Sequence, residues 1–181
     1  MRTTAAEVVR FWREAGMRAW FNGGEVFDRQ CEERFLDAHL AAARGECESW
    51  LDTAEGALAL LLLLDQIPRN VFRASGHAFA SDGLARQCAD RALAAGHDAA
   101  FEPTLRAFFY LPFEHSEDPA DQRRSVELFR SLGNATYTEY AIEHQRVIER
   151  FGRFPHRNRA LGRESTAEER AWLDAGGPAP Q

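Results

Sequence analysis

The sequence predicts an all-α fold: a single domain of antiparallel helix hairpins over residues 1–175, followed by a frayed tail at 176–181. Apolar side chains recur at helical spacing in successive segments, capping residues precede those segments, and no stretch alternates apolar and polar residues as a strand would. Most connections are short, which favours antiparallel packing of neighbouring helices. A bundle or a helical-repeat superhelix satisfies this pattern, although no fixed repeat period is found.

The first two helices are indicated by caps and glycines. Thr4 and Glu7 form a capping box ahead of apolar residues at helical spacing, so a helix opens the chain. The Asn22-Gly23-Gly24 turn is expected to end that helix. Asp28 is then predicted to cap a second helix, and Gly45 is predicted to end it.

A central helix is predicted next. Thr53 can cap it, and residues 58–64 are apolar on every side, as expected of a helix buried within a bundle. Pro68 is predicted to stop it, because the proline ring removes a backbone donor and disfavours helical geometry at the preceding residue. The following helix is expected to start at Ser81 or Asp82.

The remaining helices follow the same local signals. One is expected to start at Asp98 and to be broken by Pro112. Asp118, followed by proline at the first helical position, begins another. Residues 137–151 place apolar side chains at i, i+3, i+4 and i+7, and a capping box at 166–169 opens a short last helix.

Composition sets the class of protein. The chain has 181 residues, 45% of them hydrophobic, with 13 Phe and 4 Trp, so a packed interior is expected. The longest apolar run, residues 56–64, is about half of the ~20 residues that a membrane span requires. The N-terminus lacks the hydrophobic region of a secretory signal. We therefore expect a cytoplasmic protein with no membrane partner.

Several kinds of chemistry are excluded. All 22 basic residues are Arg and none is Lys, which excludes Schiff-base and phosphate-loop lysine mechanisms. Cys31, Cys47 and Cys88 are widely spaced and are expected to be packing residues. A net charge of −6 argues against nucleic acid as a partner.

Polar side chains concentrate in three segments that each begin at the end of a predicted helix. They read LDQIPRNVFR at 64–73, FYLPFEHSE at 109–117 and FGRFPHRNRALGR at 151–163, the last preceded by His144. These segments, in this order, resemble the bacterial family called domain of unknown function 924, and the resemblance covers nearly the whole chain. It implies an all-helical fold similar to tetratricopeptide-repeat proteins, and it implies no established activity, cofactor or catalytic residue.

In the first segment, Asp65 and Arg69 are four residues apart, so a carboxylate and a guanidinium can meet on one helix face. This pair is either a structural ion pair or a ligand contact. Asn70 and Arg73 complete the ligand-binding candidates of this segment.

The second segment crowds Glu114, His115, Ser116 and Glu117 into one turn. Two carboxylates beside an imidazole could perform general acid–base catalysis, since a carboxylate can raise the pKa of a histidine or fix its tautomer. We take Glu114 and His115 as catalytic candidates and Glu117 as a ligand-binding candidate. The alternative is that these side chains only cap helices and close the turn.

The third segment combines a histidine on a helix with a basic loop. His144 lies on the apolar face of its helix and is expected to point to the protein core, and His156 lies in the loop. His156 is a catalytic candidate and His144 a ligand-binding one, although either could be a satisfied structural residue. The other ligand-binding candidates of the loop are Arg153, Arg157, Asn158 and Arg163. Arginine forks suit phosphate or carboxylate, but they also bind helix carbonyls and acidic partners within a fold.

Three functions remain open. In the first, the three segments converge on an Arg-, His- and Glu-lined pocket for a small phosphate- or carboxylate-bearing molecule, with acid–base catalysis. In the second, the chain is a protein- or peptide-interaction module without activity, and the polar segments are internal brackets. In the third, the 153–163 loop contacts RNA, with Phe154 stacking on bases. No metal is expected, because zinc-protease and di-iron spacings are absent.

Overall fold

The computed structural model describes residues 3–177, and regular structure throughout that range is helical, with no β-strand. The predicted all-α class is confirmed. The described chain forms two compact units. The N-terminal unit comprises the residues up to Arg73 together with His77–Pro112, and the C-terminal unit comprises Ala74–Gly76 together with the residues from Phe113 onward. A single domain over residues 1–175 stays a prediction, and four residues of the expected tail, 178–181, lie outside the described residues.

The N-terminal unit is built on helices whose bounds are α1 Ala5–Asn22, α2 Gly24–Ala43, α3 Ala54–Leu61, α4 Ile67–Val71, α5 Asp82–Ala94 and α6 Pro103–Arg106. The Thr4–Glu7 capping box forms, and the Thr53 hydroxyl accepts the first-turn hydrogen bond of α3, so both predicted caps are confirmed. Gly16, with φ 69°, interrupts the regular geometry of α1. Within residues 3–177, no helix is long and apolar enough to cross a membrane.

The predicted cap at Asp28 is wrong. Helix α2 already begins at Gly24, so Asp28 lies inside it. Its carboxylate instead accepts two hydrogen bonds from the Arg73 guanidinium, each 2.7 Å long. Asp is a preferred N-cap residue, but Gly24, with φ 61°, lets the chain turn and begin α2 four residues earlier.

The predicted stop at Pro68 is also wrong. The chain continues from α3 through a π-helical turn, Leu62–Gln66, directly into α4, which contains Pro68 in its first turn. Proline removes one N–H donor, and the wider turn leaves carbonyls of Leu63 and Leu64 to be satisfied from outside. His39 Nδ1 donates to Leu63 O at 2.8 Å, and Ser81 Oγ donates to Leu64 O at 2.6 Å. These two donors allow a proline to follow a buried helix without ending it.

The predicted helix from Asp98 to Leu111 is replaced by shorter turns. A 3-10 turn at His97–Ala100, α6 and a second 3-10 turn at Ala107–Phe109 precede α7, Leu111–Glu114. Pro112 lies within α7 rather than breaking a helix, because proline is tolerated in a first turn. Asp98 accepts a hydrogen bond from the Tyr110 hydroxyl at 2.8 Å instead of capping a long helix.

The C-terminal unit contains α8 Pro119–Leu132, α9 Ala135–Phe151 and α10 Ala167–Asp174. Asp118 Oδ1 accepts from the Ala120 amide at 2.6 Å, and the Thr166–Glu169 capping box forms, as predicted. Phe154, completely buried, packs with Val147 and Ile148 of α9. This small apolar core fixes the loop between α9 and α10, which carries the polar residues of the third segment.

Candidate functional site

The C-terminal unit brings together the predicted site residues of the second and third segments. Glu114, His115, His144 and Arg157 are each 7% exposed or less. Such burial is unusual for ionisable side chains, so each must be paired or neutral. We call these four residues together with His156 the His–Glu–Arg cluster.

His144 and Glu114 form the geometrical centre of this cluster. His144 Nδ1 lies 2.8 Å from the backbone oxygen of Tyr140 and 3.5 Å from Glu114 Oε1. A carbonyl oxygen can only accept, so in the neutral imidazole Nδ1 carries the hydrogen and Nε2 carries the lone pair. A carboxylate beside the donating nitrogen of a histidine is the arrangement that fixes the tautomer of a general base.

Burial keeps His144 neutral. Burial is the main cause that lowers the pKa of His144 to about 3; the hydrogen bond to Tyr140 opposes this change, and neighbouring groups, Arg157 among them, act in the same direction as burial. The edge of the imidazole ring contacts the face of Phe154, with centroids 5.6 Å apart. His144 is therefore a hydrogen-bond acceptor at neutral pH rather than a cation.

The loop after α9 contributes Arg157 and His156. The Arg157 guanidinium lies 4.5 Å above the Phe154 ring, and its Nη1 donates to the His115 backbone oxygen at 2.9 Å. Burial, followed by the charge of Arg157, lowers the pKa of His156 to about 3, while Glu117 raises it. His156 Nδ1 is buried without a hydrogen-bond partner. Phe154 is completely buried, so its ring offers no surface on which a base of RNA could stack.

Glu117 anchors the second segment to the same loop. Its carboxylate accepts from Arg163 Nη1 at 2.7 Å and Nη2 at 2.9 Å, and from the Phe154 amide at 2.7 Å. Burial disfavours its ionisation, but the hydrogen bonds from Arg163 and Phe154 outweigh burial and lower the pKa of Glu117. Arg163 also donates to Asn158 Oδ1 at 2.9 Å. The bidentate Glu117–Arg163 pair is the kind of internal ion pair expected if the loop arginines only stabilise the fold.

Arg153 and Asn158 meet a residue that the sequence did not single out. Glu169, in the first turn of α10, accepts from Arg153 Nε at 2.7 Å and Nη2 at 2.9 Å, and from Asn158 Nδ2 at 3.3 Å. These bonds, the one from Arg153 first, lower the pKa of Glu169 to about 2. Glu169 was interpreted only as part of a capping box, and nothing local indicates its second role.

The candidates of the first segment belong to the N-terminal unit. Arg69 donates to both oxygens of Asp82, at 2.9 and 3.0 Å, and lies 3.3 Å from Asp65 Oδ1. The ion pair that the Asp65 spacing suggested is present, but the bidentate partner is Asp82, which was interpreted only as a helix start. Asn70 Nδ2 donates to the Gln66 backbone oxygen at 3.0 Å. Convergence of this segment with the other two stays a prediction.

An open cavity of about 230 Å³ also lies in the N-terminal unit. Its lining includes the candidate Asn70, with Glu25, Asp28, Arg29, Glu32 and Val71. Three carboxylates and one guanidinium give this cavity a negative character, unlike the anion pocket that the sequence predicted. Across residues 3–177, no group of three or more His, Cys, Asp or Glu side chains is arranged to hold a metal ion.

A buried glutamine on α8 was missed by sequence reasoning. Gln122 is completely buried, and its Nε2 lies 2.6 Å from the backbone oxygens of both Glu114 and Ser116. Its position one turn after the Asp118 cap, on the apolar side of an amphipathic helix, is the local signal that could have identified it.

Comparison with known proteins gives a family and a fold without an activity. A family model described as bacterial protein of unknown function, DUF924, matches residues 8–177. A solved structure of a protein of unknown function from Agrobacterium tumefaciens is 52% identical, with a TM-score of 0.92, over 95% of this chain and 97% of that one. No curated protein matches the chain.

Proposed function

We propose that this chain, which belongs to the bacterial family of unknown function DUF924, binds a small anionic molecule at the His–Glu–Arg cluster of its C-terminal unit. The proposal includes proton transfer, with His144 as the base, Glu114 as its partner, and His115 and His156 as further acid–base groups. The observation that carries it is the Glu114–His144–Tyr140 arrangement, in which Nδ1 is the donor and Nε2 keeps its lone pair.

A purely structural histidine does not need this arrangement. The hydrogen bond to the Tyr140 carbonyl already satisfies Nδ1, and a neighbouring carboxylate that costs free energy to bury adds little to stability. A general base, however, needs a carboxylate to stabilise the imidazolium that forms when it accepts a proton. The neighbouring Glu114 supplies that stabilisation only during proton transfer, because the pKa of His144 is near 3 in the resting protein.

Arg157 supports the choice of an anion. With His144 and His156 neutral, the guanidinium of Arg157 supplies positive charge beside both imidazoles, and its planar fork suits a carboxylate or a phosphate. Arg153 and Arg163 are instead bound by Glu169 and Glu117. The anion is assigned to Arg157 because its charge acts on both His144 and His156.

The test is ligand-induced stabilisation. We expect the melting temperature of the full chain to rise with at least one of three probes, inorganic phosphate, acetate or succinate, and not with equal ionic strength of sodium chloride. Arg157→Lys keeps the charge but loses the fork, and should weaken the apparent affinity at least about tenfold, or roughly 1.4 kcal/mol. Arg159→Ala, an exposed arginine two residues away in the same loop, is the matched control and should bind as the wild type does.

Two results would overturn the proposal: no probe stabilises the wild type more than sodium chloride does, or Arg157→Lys and Arg159→Ala respond as the wild type does. If Arg157→Lys does not fold, Arg157→Gln replaces it. Failure of both variants to fold would make Arg157 an internal bracket and would count against the proposal.

The interaction module remains a second candidate because of one specific observation. Arg153 and Arg163 are each held in bidentate pairs within the C-terminal unit, as Arg69 and Arg73 are within the N-terminal unit. Arginines that are used in internal ion pairs stabilise the fold, which is what an interaction module without activity would need from them. Unchanged stability in all three anions, together with intact folding of the Arg157 variants, would favour this candidate over the first.

A further inference from the structure

The backbone turn at residues 113–116 is held by side chains from outside it. Gln122 Nε2 lies 2.6 Å from the Glu114 oxygen, 2.6 Å from the Ser116 oxygen and 3.5 Å from the Phe113 oxygen. Arg157 Nη1 donates to the remaining carbonyl, that of His115, at 2.9 Å. Four successive carbonyl oxygens of one turn are therefore bound by one amide and one guanidinium.

This turn decides where Glu114 and His115 point. Two consecutive side chains leave a turn in directions that its backbone dihedral angles fix, so a rotation of the peptide between them moves both carboxylate and imidazole. A turn that has just left a four-residue helix has few backbone hydrogen bonds of its own, and Ser116 N to Phe113 O, at 3.2 Å, is the one that closes it. The external donors therefore supply most of its rigidity.

We propose that Gln122 is a positioning residue for the cluster, holding the turn so that Glu114 faces His144. The inference rests on the proposed function only in calling the cluster a site. The residue acts through the backbone of the turn and does not contact His144 itself.

The chemistry of Gln122 favours this role over ordinary packing. A completely buried side chain that only fills space would be apolar, whereas Gln122 also buries an Oε1 atom that has no hydrogen-bond partner. Leaving a buried acceptor unsatisfied costs about 1–3 kcal/mol, which the bonds to the turn must offset. Glutamate could not replace it, because a carboxylate would face carbonyl oxygens at 2.6 Å.

The experiment compares Gln122→Met with Ser125→Ala in the full chain. Methionine has nearly the length of glutamine but donates no hydrogen bond. Ser125 lies three residues further along α8, is also completely buried, and has an Oγ without a partner, so its removal breaks no hydrogen bond. The readout is the titration of the histidine ring protons by NMR, together with urea denaturation.

We expect Gln122→Met to fold with reduced stability and to raise the pKa of His144 by about one unit or more, because a mobile turn admits water and so relieves the burial that lowers this pKa. Ser125→Ala should leave that titration unchanged. Loss of stability in Gln122→Met with the His144 titration unchanged would reduce Gln122 to a structural residue and overturn the inference. If Gln122→Met does not fold, Gln122→Asn, which keeps the donor on a shorter chain, replaces it; failure of both to fold would also overturn it.

No ligand enters this measurement, so its failure can be told apart from failure of the proposed function. A wild type that binds none of the anions, combined with a shifted His144 titration in Gln122→Met, would remove the ligand and keep the positioning role. If Gln122→Met binds anions as the wild type does and the His144 titration is unchanged, the proposed function is kept and the positioning role of Gln122 is overturned.

Discussion

The two units bury charged residues in opposite ways. In the N-terminal unit, the buried carboxylates of Asp65 and Asp82 pair with the Arg69 guanidinium, whose side chain is 11% exposed, through close, partly bidentate contacts. In the C-terminal unit, the ionisable groups include the buried His144 and the half-buried His156, which desolvation drives to the neutral form. The first arrangement is stable because its charges are fixed and paired, whereas the second retains groups that a nearby charge could make titrate. We therefore expect the proton chemistry of this protein in the C-terminal unit.

The largest effect should come from removing one carboxylate of the Asp65–Arg69–Asp82 group. Asp82→Asn leaves the buried guanidinium of Arg69 with one carboxylate instead of two, and we expect the free energy of unfolding to fall by about 3 kcal/mol or more. Arg73→Ala is the matched control, because it removes a bidentate pair with Asp28 in which the arginine side chain is 62% exposed. Its loss should stay below about 1 kcal/mol, since water screens an exposed pair. Urea denaturation measures both.

Equal losses in these two variants would contradict the comparison. They would mean that burial of the Asp65–Arg69–Asp82 group adds nothing beyond a surface ion pair. The π-helical turn that carries Asp65 would then owe its stability to His39 and Ser81 alone.

An intermediate effect should appear in the dependence of stability on pH. The folded state holds His144 and His156 at pKa values of about 3, whereas the unfolded chain protonates them near 6.5. Between pH 6.5 and 5 the unfolded state thus binds more protons, and stability must fall as the pH falls. Each histidine contributes a slope of up to about 1.4 kcal/mol per pH unit, or about 2 kcal/mol over this window.

His144→Asn identifies the source of that slope. Without the imidazole at position 144, the decrease in the free energy of unfolding between pH 6.5 and 5 should shrink by up to about 2 kcal/mol. Burial also lowers the pKa of His39 in the N-terminal unit, so His39→Asn measures its share separately. A slope that His144→Asn leaves untouched would show that His144 is already protonated when folded, and His144 could not then be the neutral base.

Local signals predicted several helix starts, because a cap acts within its own turn, but they failed at Asp28 and Asp98. The capping boxes at Thr4 and Thr166 and the cap at Asp118 are present as predicted. The continuation past Pro68 could not be predicted, since its donors, His39 and Ser81, are 24 and 17 residues away from the carbonyls they satisfy. The expectation that proline ends a helix considers only the neighbouring residues, so it cannot include these distant donors.

The candidate site shows the same limit. Glu114, His115 and His156 were recognisable as candidate site residues, and Glu114 does lie beside His144. The partners of two loop arginines could not be predicted, because Glu169 and Glu117, which bind Arg153 and Arg163, lie 16 and 46 residues away in the sequence. The role of Gln122 could not be predicted for the same reason, because it depends on backbone carbonyls that only the folded chain brings near its amide.

The smallest effect separates two capping boxes that look alike in the sequence. Glutamine can replace glutamate at the third position of such a box, so Glu7→Gln and Glu169→Gln both preserve the box itself. Glu7 hydrogen-bonds with Thr4 in an exposed turn, and we expect no measurable change in the stability of Glu7→Gln. Glu169 also receives two hydrogen bonds from Arg153, so Glu169→Gln should lose about 1–2 kcal/mol by urea denaturation. If both variants matched the wild type, the contact would be too weak to fix the loop. Arg153 would then be a second arginine that an anion could recruit.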